Sequence, residues 1–170
     1  MISKEISTLC LAFKQYHKLP WRGDMVLCHE GALVMHGLLK ETESLLLEVP
    51  LSIFEQYKTE SNLRQSQFGD YIVINEQLSL RRAGWPDHFL NGWVNIFYDL
   101  KDFSGQSRDT LMEWLVLTLE NEECSKELIT RNLGLMDKLE NDWFLPGGGV
   151  DRKWWSDLAE RAKNLKERYA

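Results

Sequence analysis

The stretch that decides the fold is MVLCHEGALVMHGLLKETESLLLEVP, residues 25–50. It opens with a short apolar run, 25–28, which predicts a buried strand because it follows a turn-like polar segment. The nearly continuous apolar block 32–39 predicts a short buried helix. Residues 44–49 predict a second strand, which Pro50 stops because proline cannot donate to a strand ladder. A strand, a helix and a strand therefore follow one another.

Apolar periodicity extends this pattern on both sides. Upstream, residues 5–18 predict a helix because apolar side chains recur there at helical spacing. Downstream, residues 51–57 predict a short helix and 58–69 a polar loop. The runs 71–74 and 78–80 flank a polar turn, which predicts a hairpin or a bent pair of strands.

The C-terminal half carries mostly helical spacing. The apolar markers of its first predicted helix are Phe89, Trp93, Ile96 and Leu100. A second helix is predicted near Thr110, which with Glu113 forms a capping box, and Ser125 caps a third. The glycines at 147–149 indicate a hinge, and Asp151 after them can cap a last helix.

This order of elements predicts an α+β (α/β) domain. We expect helices to cover a small mixed sheet of about four strands, followed by a helical C-terminal half. A chain of 170 residues is of the size of a single domain. Within it we expect a core over 20–82, a helical extension over 86–145 and a C-terminal helix over 151–169 after the glycine-rich hinge.

Composition excludes several classes of protein. The chain carries 20 Lys and Arg against 26 Asp and Glu, a net charge of −6 that disfavours general nucleic-acid binding. The three cysteines form no CxxC pair, no signal peptide is readable, and no apolar run approaches the roughly 20 residues that cross a bilayer. We therefore expect a cytoplasmic protein with reduced thiols and no membrane association.

One resemblance to a known family lies in the deciding stretch. Residues 32–38, ALVMHGL, are similar to the motif Ala-Leu-x-x-His-Gly-Leu of the nucleotidyltransferase-fold superfamily. In that family the sequence Thr-x-Asp-hydrophobic-Asp-Leu follows, and here Thr42 matches the threonine and 47–50 match the exit of the strand. The resemblance covers residues 25–80, and it implies a minimal nucleotidyltransferase-like core with a helical tail.

The same resemblance implies that the catalytic motif is degenerate. His29 and Glu30 stand where the family's Gly-Gly or Gly-Ser pair binds the triphosphate. Ser44 and Leu46 stand where the two metal-binding aspartates belong, and Ser79 takes the position of a third carboxylate. Two-metal phosphoryl transfer needs several carboxylate oxygens on one strand face, so we expect no catalytic residue, no nucleotide-binding residue, no metal and no cofactor.

Two other constellations leave alternatives open. Displaced carboxylates, Glu43, Glu48 and Glu76 with Glu41 beside them, would rebuild a metal site and make the chain an active nucleotidyl- or AMP-transferase. The residues of a possible zinc site are Cys28, His29 and His36. Their spacing matches no recurring zinc pattern, so we expect His36 to be a hydrogen-bonded core histidine instead.

A chain that resembles this family but lacks its catalytic residues is expected to act by binding another protein. Candidate roles are a regulator, an antitoxin-type neutraliser and a phage accessory factor, and a purely structural subunit is a further reading. One surface to consider is the segment 118–142, with seven acids against three bases. The other is the aromatic face of the last helix, with Trp154, Trp155, Leu158 and Tyr169 as the candidate partner-binding residues.

Overall fold

The computed structural model describes residues 5–19, 24–83, 93–98, 101–142 and 152–170. The chain divides into two compact units, Met1–Ser107 and Arg108–Ala170. The described part of the first unit holds a mixed sheet and three helices, and the described part of the second holds three helices. The predicted α+β class is confirmed.

The described strands of the first unit form one seven-stranded sheet. The elements in chain order are α1 (Glu5–Tyr16), β1 (Val26–Cys28), α2 (His29–Met35), β2 (Leu45–Val49), α3 (Leu51–Tyr57), β3 (Leu63–Arg64), β4 (Tyr71–Val73), β5 (Leu78–Arg82), β6 (Trp93–Tyr98) and β7 (Lys101–Gln106). The strand order is β3-β4-β5-β2-β1-β7-β6. The pairs β1–β7 and β2–β5 are parallel, and the other neighbours are antiparallel.

The deciding stretch folds as a strand, a helix and a strand. β1 lies antiparallel to β2, with Leu27 opposite Leu47, and α2 connects them. The helix ends at Met35 because Gly37 takes a left-handed conformation with a φ of 78°, and the Leu38 N–H then bonds the Leu33 carbonyl at 2.9 Å. The apolar residues after the glycine therefore leave the helix.

The core of the first unit lies on the sheet face that packs against α1, α2 and α3. Alternate residues of β2 point into it, because side chains on a strand alternate between faces. The buried members of this core include Ile6, Cys10 and Phe13 of α1, Val34 and Met35 of α2, Ile53 and Phe54 of α3, and Leu27, Leu45, Leu47, Val49, Ile72, Leu80, Ile96 and Phe103 of the sheet.

The helix predicted from Trp93 and Ile96 is wrong, since both residues lie in β6, which pairs with β7. The other two markers of that helix, Phe89 and Leu100, lie outside the described residues. Residues 93–98 are rich in aromatic and β-branched side chains, which favour a pleated strand. The described sheet therefore has more strands than the four expected.

The second unit consists, where described, of α4 (Arg108–Asn121), α5 (Lys126–Asp142) and α6 (Arg152–Arg168), which pack pairwise. α4 is buried from Thr110 to Leu119 on every side. The predicted capping box is wrong, because Thr110 and Glu113 lie inside α4. Ser125 does cap α5, since the Leu128 N–H donates to its Oγ at 3.2 Å.

The predicted hinge at 147–149 and the predicted cap Asp151 lie outside the described residues. Among the helices that are described, none combines the length and the apolar character that a bilayer span requires.

Candidate functional site

Polar residues from the ends of three strands gather at one end of the sheet, which we call the motif end. They are His29 and Glu30 after β1, Ser44 before β2 and Gln106 at the end of β7. β1 runs antiparallel to β2 and parallel to β7, so the last residues of β1 and β7 lie beside the first residues of β2. β5 begins at the same end, because it is parallel to β2.

His29 forms the turn from β1 into α2 in a strained conformation. Its φ of 54° lies in the left-handed region that favours glycine. The His29 N–H donates to Gln106 Oε1 at 2.7 Å, and the imidazole meets the Phe68 ring edge to face with centroids 5.5 Å apart. The backbone N–H at this turn is therefore already hydrogen-bonded to a side chain of β7.

Glu30 is tied to the segment that leads into β2. The buried Thr42 hydroxyl lies 3.3 Å from Glu30 Oε2 and 3.0 Å from the Ser44 carbonyl oxygen, both of which accept hydrogen bonds. Thr42 thus connects the first turn of α2 to the start of β2. This contact fixes the acidic side chain at the turn from β1 into α2.

His36 is hydrogen-bonded, as predicted, but it is half-buried and not a core residue. Its Nε2 donates to the Gln106 carbonyl at 2.9 Å. Cys28 is buried, and its Sγ donates to the Val26 carbonyl at 3.4 Å. Within the described part of the chain no three His, Cys, Asp or Glu side chains come together as a metal site.

The structure brings two of the degenerate positions side by side. Leu46 and Ser79 are register partners on β2 and β5, and both are half-buried. Ser44, two residues before Leu46, is exposed. None of these three side chains carries a carboxylate.

The next register pair on that face is an ion pair. Glu48 lies opposite Arg81, with Glu48 Oε1 3.2 Å from an Arg81 guanidinium nitrogen. Both residues are buried, at 7% and 2% exposure. Sequence reasoning missed Arg81. Its position two residues after Ser79 places it on the same face, but the register that brings it to Glu48 is a property of the fold.

The fold does not bring the other carboxylates considered for a rebuilt metal site to Glu48. Glu41 and Glu43 are exposed just before β2, and Glu76 is exposed in the turn before β5. The Leu45 N–H bonds the Gln77 carbonyl at 2.8 Å, so these two segments do lie side by side at the motif end. Glu48 is further along the strand, where Arg81 engages it.

The aromatic face of α6 is partly covered inside the second unit. Leu158 is 1% exposed, whereas Trp154, Trp155 and Tyr169 are half-buried. The Trp154 Nε1–H donates to Glu113 Oε2 on α4 at 3.1 Å. Of the predicted partner-binding residues, the aromatic ones therefore keep part of their surface in solvent.

Basic residues of α6 neutralise part of the acidic segment 118–142. The Arg161 guanidinium binds both carboxylate oxygens of Glu120, and this hydrogen bonding raises the pKa of Arg161. Lys166 Nζ lies 2.5 Å from Asp137 and 2.6 Å from Glu140. Burial lowers the pKa of Lys166, but the hydrogen bonds to both carboxylates outweigh it, so the pKa is raised.

The acids of the segment that stay exposed include Glu122 and Glu123, in the turn between α4 and α5, and Glu127. They leave a negative surface at the start of α5. Compared with known proteins, this chain matches no family model, no curated protein and no solved structure.

Proposed function

We propose that this chain is a nucleotidyltransferase-like protein without catalysis that acts by binding another protein. The proposal rests on one observation: polar groups at and near the motif end already bind other groups of the same chain. Gln106 takes the backbone donor of His29, and Arg81 pairs with Glu48.

The turn that would hold a triphosphate is occupied. A phosphate at the start of α2 would have to displace the carboxamide of Gln106 from the His29 N–H. Gln106 is only 2% exposed. Leaving a buried polar group without its partner costs about 1 to 3 kcal/mol. The carboxylate of Glu30 in the same turn also repels an anion. Both effects oppose nucleotide binding.

Metal binding on the neighbouring face meets a similar obstacle. Mg²⁺ at a phosphoryl-transfer site is held by carboxylate and phosphate oxygens, and Leu46 and Ser79 supply no carboxylate. To turn Glu48 into a ligand would remove the partner of the buried Arg81, and breaking a buried ion pair costs about 3 to 5 kcal/mol. The active transferase with Glu43, Glu48 and Glu76 is therefore the weaker reading.

Binding of a protein is the function that remains compatible with these residues. A fold persists when its original chemistry is gone, and its surface then carries the function. The half-buried aromatic side chains of α6 are of a type that is enriched at protein interfaces. The exposed acids at the start of α5 can steer a partner of complementary charge. We propose the role of a regulator, an antitoxin-type neutraliser or a phage accessory factor, acting in the cytoplasm.

Affinity capture tests the proposal, with the full chain as bait in a lysate of the native cell and mass spectrometry of the eluate. We expect one protein to be retained in stoichiometric amount, whether or not Mg²⁺-ATP is added. A parallel assay follows transfer of labelled nucleotide by the purified chain. Transfer that Glu43→Gln and Glu76→Gln together abolish, without a retained protein, would establish the alternative.

A further inference from the structure

The C-terminal end of α1 borders a surface cavity that is largely open to solvent and that the motif end does not use. The cavity has a volume of 410 Å³, and the described residues that line it are Leu11, Lys14, Gln15, Lys18 and Leu19. Its lining therefore combines two lysines and a glutamine with two leucines, of which Leu19 is itself mostly buried. An anionic group with an apolar neighbour is the chemistry that such a lining fits.

The backbone holds Lys18 in this lining at a conformational cost. After α1 the Lys18 N–H bonds the Gln15 carbonyl at 3.2 Å, and the Leu19 N–H bonds the Lys14 carbonyl at 3.1 Å. This is the Schellman pattern, in which the residue after the cap is left-handed. Lys18 has a φ of 53°, a conformation that is strained for a residue with a side chain.

The chain uses the same pattern at α2 with the ordinary residue. There Gly37 has a φ of 78°, its N–H bonds the Val34 carbonyl at 3.0 Å, and the Leu38 N–H bonds the Leu33 carbonyl at 2.9 Å. Glycine meets this conformation without steric cost. A lysine at the equivalent position of α1 strains the turn, and it also adds a positive charge to the cavity. Strained residues of this kind cluster at functional sites.

The two lysines have no carboxylate partner among the described residues. They stand on a chain with a net charge of −6, so the cavity is a local positive site on an acidic protein. A partner segment with acidic side chains would therefore be attracted to this site. Complementary charge of this kind steers association and sets register.

An exposed aromatic residue lies beside the cavity. Tyr16, in the last turn of α1, is 78% exposed. The next residue, His17, is fixed by a hydrogen bond of 2.7 Å between its Nε2 and the Tyr57 hydroxyl, and its ring contacts Phe13 and Tyr16. Tyrosine is among the residues that most often anchor protein interfaces.

From these observations we infer that the end of α1 binds an acidic segment of a partner protein. Lys14 and Lys18 pair with its carboxylates, Leu11 and Leu19 contact an apolar side chain between them, and Tyr16 packs at the border. The inference rests on the proposed function and names the surface and the chemistry of the partner.

The test is a selection of peptides from a phage-displayed random library on the full chain, followed by titration of a labelled selected peptide. The selected sequences are expected to combine Asp or Glu with apolar residues. The variant with Lys14→Gln and Lys18→Gly should bind the peptide about tenfold more weakly. Lys18→Gly places the ordinary residue in the strained turn, so the melting temperature should not fall.

Lys40→Gln is the matched control, because it removes the same charge from a lysine that does not line the cavity. It should leave the affinity unchanged. Selected peptides without acidic residues, or equal affinity for the wild type and the double variant, would overturn the inference. Capture of a partner protein with equal affinity by the wild type and the double variant would also overturn the inference. The proposed binding function would then still stand.

Discussion

Glu48 and Arg81 form a buried ion pair through the register of β2 and β5. The carboxylate lies on the same strand face as Ser44 and Leu46. In this chain β5 places a guanidinium 3.2 Å from it, with only 9% and 3% of the two side chains exposed. The charge of Glu48 is therefore balanced inside the protein.

The pair predicts a specific pattern of stability. Glu48→Leu alone should lower the free energy of unfolding by about 3 to 5 kcal/mol, because it leaves the Arg81 charge buried without its partner. The double change with Arg81→Met should recover most of this loss, since well-packed apolar side chains often replace a buried ion pair without cost. Denaturant unfolding of the single and double variants measures both effects.

An exposed pair supplies the control for this cycle. Glu55 on α3 and Lys58 just after it are 3.8 Å apart, with 53% and 41% of their side chains exposed, so Glu55→Leu should change stability by less than about 1 kcal/mol. If Glu48→Leu lowers the free energy of unfolding no more than Glu55→Leu does, the ion pair does not hold Glu48 in place. That result would favour the alternative in which Glu48 is a metal ligand.

The cysteines provide a second test at this scale. Burial disfavours the thiolate and raises the pKa of the Cys10 thiol to about 12, and Cys28 is fully buried. Raising the pH from 7 to 9 should therefore not make Cys10 reactive, because its thiolate stays rare well below its pKa. Alkylation followed by mass spectrometry should modify the half-buried Cys124 first, and all three thiols in denaturant.

Sequence alone shows which residues stand at His29, Ser44 and Leu46, but not which side chains they meet in the fold. The partners Gln106 and Arg81 lie far along the sequence, on β7 and β5. They reach the site through strand order and register, which local residue patterns do not encode.

At the scale of elements, prediction succeeds where local signals agree. The run 25–50 has strand-like ends and a glycine that stops the helix, and it folds as a strand, a helix and a strand, as expected. The predicted helix bounds of 32–39 are wrong, because the helix spans His29–Met35 and ends before Gly37. For 93–98 the signals conflict, because a helical spacing of apolar residues coincides with side chains that favour strands. Pairing with β7 decides in favour of the strand.

The C-terminal helix predicts a further stability effect. Leu158 is 1% exposed on the face of α6 that packs against α4 and α5, so Leu158→Ala should destabilise the second unit by about 2 to 5 kcal/mol. Lys163→Ala, an exposed change on the same helix, should have an effect within about 0.5 kcal/mol. Thermal unfolding measures both.

The outcome also separates two roles of α6. Loss of stability in Leu158→Ala places this residue in the packing of the unit, and leaves the half-buried aromatic residues as the surface available to a partner. If Leu158→Ala keeps its stability but loses the captured protein, Leu158 itself is part of the recognition surface.

For the whole molecule, the central claim is that binding has replaced nucleotide chemistry. Net charge and composition already argue against nucleic acid as a partner. The proposal extends that argument to single nucleotides, because the His29 N–H is hydrogen-bonded to Gln106 and Glu48 is paired with Arg81.

Calorimetric titration of the full chain with Mg²⁺-ATP and the other Mg²⁺-nucleoside triphosphates tests this claim most directly. We predict no saturable heat for any of them. Saturable binding at micromolar concentration that requires Mg²⁺ would contradict the account, because it would mean that the motif end opens to accept a nucleotide and its metal.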